Sequence, residues 1–214
     1  MLNTSFDFVD TTSAQTLLIT ASRRSGKTRL ARALVANHVE RGDTVIWIEF
    51  YSSANFQFRE WLTYFTADKS NAVAAKETLV NSRLLIYDLV DNSFDAIEQT
   101  VQSVLSRNKQ HQKVVLVVDE ADRLMIAPLL DYVHQRGYNL VATYKTDGDV
   151  RITGAAPFDQ GFNCVLNIQN YSTVNDVASI HVIRQKSPKE AEQTSVVYTL
   201  DAQSGLIIDR TTGV

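Results

Sequence analysis

Thr16-Leu-Leu-Ile-Thr-Ala-Ser-Arg-Arg-Ser-Gly-Lys-Thr-Arg-Leu30 decides the fold: an apolar run, a polar loop ending in Gly-Lys-Thr, then the start of a helically spaced stretch. Within it Ala21–Thr28 matches the phosphate-loop pattern G-x-x-x-x-G-K-[ST], with alanine in the first glycine position. The pattern needs a strand before it and a helix after it, because loop N–H groups and the helix N-terminus together surround phosphate oxygens. In that arrangement Lys27 reaches the β- and γ-phosphates, Thr28 offers a hydroxyl to a magnesium ion, and Gly26 lets the backbone come close. Ala21, Ser22, Arg23, Arg24, Ser25 and Arg29 complete the candidate nucleotide contacts. A chance match in a chain of this length has a probability of roughly 0.01–0.02 on average residue frequencies. The methyl of Ala21 is tolerated only at negative φ.

Further along, Lys113-Val-Val-Leu-Val-Val-Asp-Glu120 is an apolar strand ending in two carboxylates. Five consecutive apolar residues, Val114–Val118, suit a central parallel strand buried on both faces. Beside a phosphate loop, this reads as the element in which Asp119 serves the metal and Glu120 polarises the attacking water. Asn139–Tyr144 is the neighbouring apolar strand, and its polar end supplies a candidate γ-phosphate sensor, Thr143 first and Lys145 second. Arg123, Arg136, Arg151 and Arg184 are candidates for an arginine acting across a subunit boundary. Trp47, Trp61, Phe56 and Phe58 read as core or helix-packing aromatics, not as base-stacking platforms.

Around these motifs, short apolar runs alternate with amphipathic stretches, as in an α/β fold with a mostly parallel sheet flanked by helices. Strands are expected at Thr16–Thr20, Thr44–Phe50, Arg83–Asp88, Val114–Val118 and Asn139–Tyr144. Helices are expected at Lys27–Arg41, within Phe56–Ser82, and at Asn92–Asn108 and Asp122–Arg136. The last third changes to Asn163–Gln169, Val177–Gln185, Ser195–Asp201 and Gly205–Asp209, all strand-like and expected to be antiparallel. Between them Lys145–Gly161 is glycine-rich and reads as a mobile loop. With no repeat and only 3 Pro, the 214 residues read as one domain.

Composition narrows the function classes. Hydrophobic residues at 44% and charged residues at 21% describe an ordinary globular chain. A net charge of -3 provides no global field for a polyanion, so any DNA contact must be a local patch such as Lys145, Arg151, Lys186 and Lys189. One cysteine and 4 His offer neither a disulfide nor a zinc-ligand spacing. No apolar run of about 18 residues is present and the first ten residues lack a signal-peptide pattern, so no membrane span and a cytoplasmic location are expected.

With Arg83–Asp88 and Asn139–Tyr144 inserted around the strand that ends in Asp119, and Glu120 adjacent to it, the chain resembles the RecA-like P-loop ATPases over about residues 14–210. Within that group Ala21–Thr28, Val114–Glu120 and the run Gln135-Arg-Gly-Tyr-Asn-Leu-Val-Ala-Thr143 are similar to the FtsK/HerA-related viral genome-packaging ATPases, with Tyr144 in place of the family's Gln. That resemblance implies Mg-ATP hydrolysis driving translocation of double-stranded DNA, a homo-oligomeric ring, a capsid or portal-type partner, and a location in host cytoplasm or virion. The C-terminal strands also resemble the closing hairpins of RecA and KaiC-type ATPases, which implies a regulatory alternative. Asp119–Leu124 resembles AAA+ target selectors, ranked last because those end in a helical lid. Asp119–Asp122 spells DEAD, but a DEAD-box helicase needs a second domain for which the chain lacks the residues.

Overall fold

A computed structural model describes residues 15–69, 71–107, 113–146, 161–174, 177–187 and 190–212. In chain order its elements are β1 (Thr16–Ala21), α1 (Lys27–Glu40), β2 (Thr44–Glu49), α2 (Ala54–Lys69), α3 (Ala72–Asn81), β3 (Arg83–Asp88) and α4 (Phe94–Arg107). There follow β4 (Val114–Asp119), α5 (Arg123–Arg136), β5 (Asn139–Lys145), β6 (Cys164–Val174), β7 (Val177–Ser187), β8 (Glu190–Asp201) and β9 (Ile207–Thr212). They form one nine-stranded sheet in the order β3-β2-β4-β5-β1-β6-β7-β8-β9. From β3 to β6 the pairings are parallel, and from β6 to β9 antiparallel. The expected antiparallel turnover therefore begins one strand late, because β6 first extends the parallel sheet along β1. Gly205, expected in the last strand, instead occupies the preceding turn at φ 78°.

Strand side chains alternate between faces, and each face has its own apolar cover. Val115 and Val117 join Leu17, Val45, Trp47 and Val141 beneath α1, α2 and α3. Val114, Leu116 and Val118 join Leu18, Ile46 and Ala142 beneath α4 and α5. A run that is apolar at every position thus satisfies both layers. Trp47 and Trp61 meet edge to face at 5.7 Å in the first layer, as core aromatics.

Helix boundaries follow local chemistry. Asn71 caps α3 by accepting from Val73 N at 2.9 Å, which starts the second of the helical stretches expected within Phe56–Ser82. Asp122 caps α5 by accepting from Leu124 N at 2.8 Å, and Gly137 ends that helix at φ 69°. Phe56 and Phe58 correct the sequence reading: they are 53% and 46% exposed, while Gln57 between them is buried. The helical turn directs position 57 inward, so its neighbours face outward. The glycine-rich loop falls mainly on 147–160 and lies outside the described residues, as does Arg151.

Leu116 has no exposed surface at the centre of the parallel sheet. Leu116→Ala is expected to lower unfolding free energy by about 2–5 kcal/mol. Urea denaturation would register this as a lower midpoint at unchanged slope.

Candidate functional site

Parallel α/β sheets place ligands at the carboxyl ends of their strands, and here those ends carry Ala21, Glu49, Asp88, Asp119 and Lys145. The register aligns them: Glu49 pairs with Asp119 across β2 and β4, and Ala21 with Lys145 across β1 and β5. Residues far apart in sequence thereby share one rim.

Between β1 and α1 the loop turns through two left-handed positions, Arg24 at φ 56° and Gly26 at φ 81°. Ala21 is not among the positive-φ residues and is fully buried, so its methyl is accommodated as the end of β1. The Ser25 hydroxyl donates to Ser22 O at 2.6 Å, and Lys27 Nζ donates to the same carbonyl at 2.9 Å. The N-terminus of α1 receives no side-chain cap at Gly26, so its amides stay directed at the space an anion would take. Arg29 Nη1 turns the other way and donates to Ala202 O at 2.6 Å in the turn between β8 and β9.

At the end of β4 the Asp119 carboxylate is held on both oxygens. Thr28 Oγ1 donates to Oδ2 at 2.7 Å, and Thr143 Oγ1 donates to Oδ1. The Thr143 hydroxyl in turn accepts from Glu120 N at 2.7 Å, and Ala121 N donates to Thr143 O at 2.8 Å. Thr143 is buried, and its contacts are to Asp119 and Glu120, so it acts on the site by fixing the end of β4. Glu120 sits at φ 55°, a strained left-handed conformation for a residue with a Cβ, and its Oε1 lies 3.8 Å from Lys27 Nζ.

Burial pulls the Lys27 ammonium below its ordinary pKa; Glu120 and Asp119 oppose this, while Lys145 and Arg23 add to it. Lys145, paired in register with Ala21, contributes to the field at this site. Glu49 is a site residue that motif reading missed. Burial first, and Asp119 second, push its carboxyl up to about 8. Its Oε2 accepts from Gln57 Nε2 at 2.8 Å and Trp47 Nε1 at 3.3 Å. The one signal in the sequence is a polar residue closing the apolar run Thr44–Glu49.

The remaining candidates are dispersed. Arg136 stands over the Tyr132 ring at 4.1 Å and 3.7 Å from Glu98, and Arg123 begins α5. Arg184 lies in β7 opposite Leu166. Among the described residues no group of three or more His, Cys, Asp or Glu forms a metal cage, and no helix is long and apolar enough to cross a membrane. The donors present, one hydroxyl and one carboxylate at 2.7 Å, suit a magnesium ion that takes its other ligands from phosphate and water.

An uncapped helix N-terminus after a parallel strand, a buried lysine over it and an aspartate one strand away but not adjacent define the fold of a RecA-like P-loop ATPase. Residues 10–152 match the family model described as AAA domain, and the chain belongs to that family. The expectation that ranked AAA+ proteins last is corrected by this match, which ends before β6 and so leaves out the C-terminal strands on which the ranking rested.

Among solved structures, the chain is similar to one described as an ATPase domain, with 12% identity, a TM-score of 0.71, and coverage of 91% of this chain and 84% of that one. A DnaB-like replicative helicase, solved for its interactions with primase, gives 12% identity and a TM-score of 0.72, with 91% and 57% covered. A KaiC-like protein from Pyrococcus horikoshii gives 14%, 0.61, 91% and 89%. At these identities the likeness establishes the fold. The FtsK/HerA-related packaging resemblance has no counterpart among these three. No curated protein matches the sequence.

Thr143→Val keeps the shape but leaves Glu120 N–H without its acceptor. We expect a loss of about 1–3 kcal/mol in chemical denaturation. Unchanged stability would mean that Thr143 does not hold the end of β4.

Proposed function

We propose that this chain hydrolyses Mg-ATP. The observation that carries the reading is the convergence of Lys27, Thr28, Asp119 and Glu120 on the uncapped N-terminus of α1. Ala21–Arg29 encloses the phosphates, with Lys27 compensating their charge and loop amides donating to their oxygens. Thr28 and Asp119 hold the magnesium ion, which when bound offsets the charge of the phosphates and of the rim carboxylates. Glu120, kept facing Lys27 by its backbone conformation, orients and polarises the attacking water. Thr143 is the positioning residue for both Asp119 and Glu120. Glu49 is a second carboxyl group on the same rim, paired in register with Asp119, and takes part in the water-activating step beside Glu120 once a bound magnesium ion favours its ionised form.

The two carboxylates are separable by experiment. Glu120→Gln should leave nucleotide bound and reduce turnover at least about 100-fold, within the range of general-base contributions. Glu49→Gln should also reduce turnover without weakening a fluorescent ATP analogue. Wild-type turnover in either variant would remove that residue from the chemistry.

The hydrolysis is coupled to DNA in this reading. Support comes from the fold shared with a replicative helicase and from the RecA-like resemblance. A homo-oligomeric ring acting on double-stranded DNA follows from it, with an arginine from one subunit completing the next subunit's site. The narrower assignment, viral genome packaging with a capsid or portal-type partner, is supported by the resemblance of Ala21–Thr28, Val114–Glu120 and Gln135–Thr143. A KaiC-like or AAA regulatory ATPase is the alternative, supported by the family and by a KaiC-like neighbour.

Turnover measured with and without double-stranded DNA, alongside mass by light scattering, distinguishes these. A motor should form a ring stimulated by DNA, with stimulation falling as salt rises. A monomer indifferent to DNA would sink the motor and favour the regulatory reading.

A further inference from the structure

On α1 and α2 two inward polar side chains meet in the core. On α1, Arg32 is 1% exposed; on α2, Gln57 is 2% exposed between two outward phenylalanines. A Leu or Met at either position would itself need no hydrogen-bond partner in the core. Polar residues buried against the pattern mark positions where function overrides stability.

Their hydrogen bonds run in one direction. Arg32 Nη1 donates to Glu60 Oε2 at 3.3 Å, and Arg32 Nη2 donates to Gln57 Oε1 at 3.0 Å. A guanidinium only donates, so the Gln57 oxygen must face Arg32 and its NH₂ must face the other way. That NH₂ donates to Glu49 Oε2 at 2.8 Å and to Ser52 Oγ at 3.0 Å. Arg32 thereby fixes the amide, and the amide fixes the carboxylate.

We propose that Gln57, oriented by Arg32, is the positioning residue for Glu49 in ATP hydrolysis, holding the carboxylate at the rim beside Asp119. It rests on the reading that Glu49 takes part in the reaction. A carboxylate on a free side chain would sample several rotamers, and displacement by about 1 Å can cost up to 100-fold in rate. Anchoring from α1 and α2 removes that freedom. Because α1 also begins at the phosphate loop, the anchor and the nucleotide share one rigid element.

Gln57→Met removes the donor to Glu49 without adding a charge beside it. Gln57→Glu keeps an acceptor for Arg32 but adds a carboxyl that can share a proton with Glu49, and serves as a second variant should the first fold poorly. Turnover at saturating ATP, affinity for a fluorescent ATP analogue and melting temperature are measured on each. We expect turnover to fall at least about tenfold with analogue affinity within about threefold. The exchanged pair Glu49→Gln with Gln57→Glu restores a hydrogen bond and should recover melting temperature but not turnover. If both Gln57 variants lose melting temperature yet turn over within about twofold of wild type, Gln57 is structural and the inference is overturned. Glu49→Gln alone reports on the underlying reading: slow turnover there with normal Gln57 variants sinks only the inference, and normal turnover there sinks both.

Discussion

The Asp119 carboxylate is the point on which the site depends. It is a buried anion at the end of a central strand, where an unpaired charge would cost several kcal/mol, so each oxygen must have a donor. Thr28 supplies one from α1 and Thr143 supplies the other from β5. One side chain therefore ties together the helix that follows the phosphate loop and two strands of the parallel sheet. At the rim β5 lies between β4, which carries Asp119, and β1, which leads into the phosphate loop. Glu120 inherits its strained backbone from this arrangement, because its N–H must reach Thr143 while its side chain reaches Lys27.

Around that anion the rim collects charge that an apolar core would ordinarily exclude. Lys27, Glu49, Asp119 and Arg32 are all buried. Burial lowers the ammonium of Lys27 and the guanidinium of Arg32, and raises the carboxyl of Glu49. Groups shifted in opposite directions within one cleft are the pattern of a site arranged for chemistry. The covering layers of valine, isoleucine and leucine are what make such an arrangement tolerable, since they supply most of the burial on both faces of the sheet.

Much of this is legible in the sequence. Strand positions follow from unbroken apolar runs, and the phosphate loop from a spacing that only one kind of backbone satisfies. The role of Thr143 is only half legible: its place at the strand end can be read, but not its contact with the neighbouring strand, which depends on register. Glu49 is hidden for the same reason, since nothing local distinguishes it from any polar residue that ends a strand. Gln57 and the two phenylalanines mislead because aromatic residues ordinarily face inward, whereas this helix turns a polar residue to the core for its partners Arg32 and Glu49. The direction of β6 cannot be read from alternation, which is the same in parallel and antiparallel strands.

Arg29 and Ala202 lie on opposite sides of the boundary where the family match ends, at residue 152, yet they share a hydrogen bond of 2.6 Å. The turn that presents this carbonyl is shaped by Asp201, which accepts from Ser204 N at 2.6 Å, and by Gly205, whose left-handed backbone packs against Arg29. The residue next to Thr28 is thus fitted to a segment that the family model does not describe. A graft of the closing hairpin onto another phosphate-loop domain would keep this contact only if it carried the turn 201–205 and an arginine at position 29 together.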